Sequence, residues 1–298
     1  MSNSNEIREF LASRRARVSP ERAGLPRYGS RRRVPGLRRE EVALLADISV
    51  EYYTRLERGN ARGVSDEVLD TVSRALQLDD AEHAHLLDLV RVANLERPPR
   101  RSPAPKQVRP SIRRLVDALT ALPAWVFNGR HDILYANSLA QALYIELFSD
   151  TVRPPNSARY IFLDPRARTF YADSDSVAHD VVAALRGEAG RSPYDRAISD
   201  LVGLLSTRSD EFRRLWAGHD VRFHRSGVKR FRHPLVGELT LAWDSLPLPA
   251  DPGLALATYS PDPGSPSEAA LSELARWAGT RRRLTAAGAD PRTGAARS

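Results

Sequence analysis

"LRREEVALLADISVEYYTRLERG", residues 37–59, sets two apolar bursts on either side of the tetrapeptide Ala46-Asp47-Ile48-Ser49. Read at helical spacing, residues 37–46 place Val42, Ala43 and Ala46 on one face, and residues 50–58 place Tyr53 and Leu56 on another. Ile48 plugs the corner between them. Ser49 is positioned to cap the second helix, Glu51 suits its positive end, and Gly59 is a natural stop. With small Ala43 at the crossing, two helices can meet steeply across three or four residues, which is the geometry of a helix-turn-helix.

The flanks extend this unit. Ile7, Phe10 and Leu11 predict a helix over 6–17, and the basic stretch 27–35 reads as a loop. Ser65 caps a helix whose apolar stripe is Val68, Leu69, Val72, Ala75 and Leu76, with Val64 and Leu69 at the staple positions. A capping-box-like tetrad at 79–82 opens another helix through Leu86, Leu87, Val90 and Ala93. Five short helices make residues 1–96 an all-α domain.

The net charge of +8 is unevenly spread, and 43 of the 45 basic residues are Arg. Residues 1–62 hold 14 basic and 8 acidic side chains, residues 63–96 hold 2 and 8, and residues 97–114 hold 7 and none. The positive field is concentrated at the opening motif and in the segment after the helical domain, as a polyanion footprint would be. Cysteine is absent, which excludes disulfides and thiolate chemistry. No apolar run is long enough for a membrane helix and the first residues lack the apolar core of a signal peptide, so a cytoplasmic protein without a membrane partner is expected.

"ERPPRRSPAPKQVRP" carries five prolines and reads as an extended linker, residues 97–110. An α+β domain around an antiparallel sheet is expected over 111–260. Ser111 caps an amphipathic helix; two strands flank an Asn128-Gly129 turn; Asn137 caps a helix reaching about 148. Helices follow after 164–165, over 177–185, 192–205 and 209–217, and strands over 220–224, 238–246 and 253–259. Residues 261–298 read as one helix, 267–279, and a disordered tail.

The ungapped set Leu37, Glu40, Glu41, Val42, Ala43, Ile48, Ser49, Arg55, Leu56, Glu57 and Gly59 resembles the phage-repressor-like, or XRE, class of helix-turn-helix proteins. Asp47 stands where that class usually has a turn glycine, and Asp tolerates left-handed backbone better than most residues. Arg39 replaces the usual Gln and is expected to reach a phosphate. The resemblance implies double-stranded DNA as partner, with the second helix in the major groove. Val50, Glu51 and Arg55 become the base-reading residues, while Arg38, Arg39, Ser49, Tyr52 and Thr54 face phosphates and Arg31, Arg32 and Arg33 add salt-dependent affinity. Glu57 is read as structural, paired with Arg14 or Arg15 of the first helix.

Together with "EFRRLWAGHDVRFHRSGVKRFRHPLVGELTL", the motif resembles the MmyB-like transcription regulators, which join such a domain to a PAS-like ligand-binding domain. The resemblance implies a homodimeric regulator sensing a small apolar or fatty-acid-like molecule. Phe127, Phe212, Trp216, His219 and Arg222 are the expected ligand contacts, with Arg213 or Arg214 as a carboxylate partner. His83 and His85, and His219, His224 and His233, lack metal-ligand spacing. No phosphate loop, nucleophile elbow or paired-carboxylate signature appears, so neither cofactor nor catalysis is expected. A C-terminal domain that recruits a protein instead of a ligand stays open as the alternative.

Overall fold

The computed structural model describes residues 3–25, 36–95, 107–218 and 226–288, with backbone alone over 281–288. The chain divides into two compact units, one built from residues 1–100 and 179–223 and the other from 101–178 and 224–298.

In the first unit, α1 (Asn3–Arg17), α2 (Arg39–Leu45), α3 (Val50–Glu57), α4 (Asp66–Ala75) and α5 (Asp80–Asn94) are the five expected helices. Their buried faces, among them Ile7, Phe10, Leu11, Val42, Ala43, Tyr53, Leu56, Leu69, Val72, Leu86 and Leu89, close into one core. Local chemistry fixes the ends. Ser49 Oγ accepts from the Tyr52 N–H at 3.0 Å, and Asp79 and Glu82 form a reciprocal capping box. Asp47 carries the left-handed turn at φ 54°, and Gly59 takes φ 86° where a Cβ would fall 2.2 Å from the Ser4 carbonyl oxygen.

The same unit holds most of α11 (Ser174–Arg191), together with α12 (Arg196–Arg208) and α13 (Asp210–Ala217). Residues 179–223 were expected in the C-terminal domain, yet they cluster with the helix-turn-helix. The α12 start also moves. Asp195, not Ser192, caps it by accepting from the Ala197 N–H at 2.9 Å.

The second unit begins with α6 (Pro110–Ala118), which takes Pro110 in its first turn, so Ser111 is not its cap. Five described strands follow: β1 (Ala124–Asn128), β2 (Ile133–Ala136), β3 (Ser226–His233), β4 (Gly237–Pro247) and β5 (Leu254–Ser260). All neighbouring pairs are antiparallel, in the order β2-β1-β5-β4-β3. One sheet face presents Val126, Leu254 and Leu256 to Val116 of α6. The other is covered by α7 (Ser138–Leu143), α8 (Ile145–Ser149), α9 (Ser157–Leu163), α10 (Arg166–Phe170) and α14 (Pro266–Gly288). This is a PAS-like α+β arrangement.

Several local expectations change. The Asn128-Gly129 pair does not make a two-residue hairpin. Asn128 Oδ1 instead accepts from the Arg130 and Asp132 N–H groups, and the left-handed residue is His131, at φ 64°. The helix after Asn137 breaks at Tyr144, whose ring enters the core. The strand expected over 220–224 lies outside the described residues. Strand β3, at one edge of the sheet, is mostly exposed and carries Lys229, Arg230 and Arg232, so alternation marks it weakly. Helix α14 continues the domain past residue 260 by burying Leu271, Leu274 and Ala278 in its core.

Asn137 ties α6, β1 and α7 together. Its Oδ1 accepts from the Ala124 and Ala140 N–H groups at 3.2 and 2.8 Å, and its amide donates to the Leu119 and Leu122 carbonyls, both at 2.8 Å. Replacing it by Ala strands several buried partners, each costing about 1–3 kcal/mol. Asn137→Ala is expected to lower unfolding free energy by roughly 3 kcal/mol or more in urea titration, and a loss within about 0.5 kcal/mol would remove this hub role.

Candidate functional site

The outward face of α3 is the site that the helix-turn-helix exposes. Glu51 and Arg55 are exposed, and Val50, Tyr52 and Thr54 are half-buried along the same short helix. The Arg55 guanidinium lies 4.8 Å from the centre of the Tyr52 ring, a cation–π contact that steadies a long side chain at the surface. Ser49 serves as the α3 cap, and Arg38 is exposed ahead of α2. Arg31, Arg32 and Arg33 lie outside the described residues.

Arg39 departs from expectation. Its Nε bonds the Glu57 carboxylate, whose other oxygen accepts from Arg15 Nε at 2.7 Å. Glu57 is 1% exposed, so this carboxylate is a buried node joining α1, α2 and α3. The Glu57 partner expected on the first helix is therefore Arg15. Arg14 pairs instead with Glu82 of α5 at 2.9 Å. Arg39 thus has a structural partner in Glu57 although its side chain stays 46% exposed, and on α3 Val50 and Tyr52 pack partly against the core while Glu51 and Arg55 remain exposed.

The second unit offers an aromatic interior. Trp125, Tyr144, Phe170, Tyr171, Phe231 and Tyr259 pack ring on ring, with Tyr144 centred 4.4 Å from Trp125 and 5.4 Å from Phe170. The Tyr144 and Tyr259 hydroxyls bond at 2.9 Å, and burial raises the pKa of Tyr144, Tyr171 and Tyr259, so all three remain neutral phenols. Lys229 of β3 holds its ammonium 4.4 Å from the Trp243 ring centre and 6.0 Å from that of Tyr259. A cleft of about 680 Å³ opens beside this core, lined by Tyr135, Gln141, Ile145, Phe148 and Trp277, with Asp117 accepting from the Tyr135 hydroxyl at 2.8 Å. Its volume suits a small ligand, and Phe148 connects it to the core by packing on Trp125.

The expected ligand residues scatter. Phe127 belongs to this unit, half-buried beside the aromatic core. Phe212, Arg213 and Trp216 lie on α13 in the other unit. There Phe212 and Trp216 stack at 5.5 Å, and Arg213 pairs with Asp210 at 2.6 Å. Four-residue spacing on one helix signals a packing pair, and that is the role both aromatics take. His219 and Arg222 lie outside the described residues. The tyrosine cluster and Lys229 were missed because their neighbours come from separate segments far apart in the sequence; only the alternation of Leu239, Leu241 and Trp243 on β4 hinted at an inner face.

Among the described residues no group of three or more His, Cys, Asp or Glu side chains is gathered as a metal site would need, and no helix is long and apolar enough to cross a membrane. His83 bonds Ser73 Oγ at 2.8 Å while His85 packs edge-on to Phe10, confirming that they face apart.

His131, set against Phe127 and Ser157, is pushed down to about 4 by burial first and by the Lys229 charge second, with Asp132 opposing. The unfolded chain binds that proton near pH 6.5 and the folded one resists it, so stability is full above 6.5 and falls as pH drops toward 4. His131→Asn keeps a residue suited to left-handed backbone and removes the titration. The melting temperature of wild type is expected to drop more steeply than that of the variant between pH 7 and 5; parallel curves would show that His131 is not the group responsible.

Comparison with protein families gives two matches. A model of the MmyB-like transcription regulator ligand binding domain matches residues 108–274, and a helix-turn-helix model matches residues 32–82. No curated protein matches the chain. With an exposed α3 on an XRE-type helix-turn-helix, a PAS-like unit around an aromatic core, and the ligand-binding match spanning more than half of the sequence, the chain belongs to the MmyB-like transcription regulators, DNA-binding proteins with a ligand-binding domain.

Proposed function

We propose that this regulator reads a specific DNA site through Val50, Glu51 and Arg55 and is controlled by a small apolar molecule, an acyl chain being the expected class, held in the PAS-like unit. The observation that carries the reading is the division of labour at α3. Glu57 and Tyr53 face inward and are buried, Arg39 is committed to Glu57, and Glu51 and Arg55 face outward. An outward Arg can fork onto guanine O6 and N7, an outward Glu can accept from a cytosine amino group, and Val50 offers a methyl contact to thymine. Two copies on a two-fold site fit the way such domains dock, and nothing in the reading calls for catalysis.

For the ligand, the cleft beside α7, α8 and α14 supplies the support. Phe148, Ile145 and Trp277 offer an apolar floor, and Asp117 disfavours a carboxylate at its own side of the opening. An acidic head group would turn away from Asp117. Phe127, Trp125 and Tyr144 are the core residues on which an apolar body would continue.

Two measurements test these halves separately. A duplex is selected from a random-sequence pool with the full-length protein. Arg55→Ala should then lose about 1–3 kcal/mol of preference for that duplex over random DNA while binding random DNA nearly as well as wild type does. Equal losses on both would refute base reading by Arg55. Separately, mild denaturation of the purified protein followed by mass spectrometry should release one apolar compound per chain, and Phe148→Glu should abolish its recovery. If nothing is released, and saturating amounts of long-chain acids also leave the intrinsic tryptophan fluorescence unchanged, the ligand half falls and a protein partner becomes the better reading.

A further inference from the structure

The helices that the ligand-binding family model claims are not all in the PAS-like unit. Within its match, residues 179–223 group with the helix-turn-helix, and the boundary between the two units falls inside α11, after Ala178. The packing that holds them there is specific. Arg186 of α11 is 1% exposed, a full charge in the interior of the first unit. Its Nη1 donates to Glu6 Oε2 of α1 at 3.1 Å, its Nη2 donates to the Trp216 carbonyl of α13, and its guanidinium carbon sits 4.2 Å above the Trp216 ring. Both partners are desolvated, so loss of either one leaves an uncompensated charge.

Three further contacts bind the same faces. An added Cβ at Gly190 would lie 2.6 Å from His85 Cε1 of α5, so α11 approaches α5 as closely as a glycine permits. Burial raises the pKa of Asp88 on α5, and the charge of Arg191 on α11 acts against that rise. Arg17 Nη2 at the end of α1 donates to the Gly218 carbonyl after α13 at 3.3 Å. Helix α1 is thus gripped near its start by Arg186 and near its end by the residue that closes α13. Between those points, Arg15 of α1 donates to Glu57 of the recognition helix.

We propose that α11–α13 are a coupling element of the DNA-binding unit, in which Arg186 is a positioning residue that sets α1 through Glu6, and α1 sets the DNA-reading helix α3 through Arg15 and Glu57. Movement of α11 would alter base reading without any ligand touching the helix-turn-helix. The coupling rests on the DNA-reading function proposed above. It differs from a general loss of fold in what it should spare: phosphate contacts, which give non-specific and salt-dependent binding, do not need α3 in one exact pose, whereas base contacts do.

The test compares full-length wild type with Arg186→Met, Arg186→Lys and Gly190→Val by hydrogen–deuterium exchange and by affinity for the selected and random duplexes. Arg186→Met should raise exchange in α1 and α3 while leaving β1–β5 as protected as in wild type. It should also cut affinity for the selected duplex about tenfold or more with the random-duplex affinity and salt slope kept, and Arg186→Lys should recover part of that loss. Gly190→Val, which separates α11 from α5 without touching the buried charge, should act in the same direction. Unchanged exchange in α1 in both Arg186→Met and Gly190→Val would overturn the clamp. Raised exchange in α1 with an unchanged selected-to-random ratio would overturn the relay to α3. A wild type that does not distinguish the duplexes would instead sink the DNA-reading function, and α1 exchange would still decide the clamp.

Discussion

A single buried carboxylate organises the DNA-reading end of this protein. Glu57 sits on the inner side of the recognition helix and receives one guanidinium from α1 and another from α2. A charge withdrawn this far from water persists only when its oxygens are satisfied, so the three helices cannot rotate independently without exposing an unpaired ion. The orientation of α3 is therefore inherited from α1 and α2. The polar residues Glu51 and Arg55 of α3 meanwhile stay exposed.

The PAS-like unit is governed by a different constraint. Its core is built from large rings that meet edge-on or tilted, with phenol hydroxyls bonded to each other inside it. Aromatic cores with polar handles are selective about shape and about hydrogen-bond geometry. Asn137 plays the corresponding role at the opposite face, converting three chain ends into one rigid corner.

Much of the first unit was legible in the sequence because its signals are local. Ser49, Ser65 and Asp79 cap the helices that they were read to cap, and Asp47 takes the left-handed turn. The ion pair of Arg39 was not foreseen for a reason of distance: its partner Glu57 is 18 residues away, and a charged residue near a helix start looks the same whether it faces a phosphate or a carboxylate. In the second unit the hairpin between β1 and β2 was placed and its turn was not, because the Asn128 side chain, not Gly129, shapes the loop. Strand β3 escaped because an edge strand with charged outward residues lacks a clean alternation. Phe212 and Trp216 were read as ligand contacts because an aromatic pair near a cluster of His and Arg looks like a pocket; nothing local reveals that their helix packs with α11 and α12 instead.

The position of the unit boundary within α11 bears on how such regulators diversify. A proline-rich stretch of sequence between two domains would invite exchange of whole modules by recombination, with a new DNA-binding head joined to an old sensor. Here that cut would separate Glu6 and His85 from Arg186 and Gly190, which they meet in the interior, and Asp88 from the opposing charge of Arg191. A foreign head would inherit helices shaped for another protein's α1 and α5. Head and insert are thus bound to drift as a pair, and change is reached more readily by substitution within the helix-turn-helix than by shuffling domains.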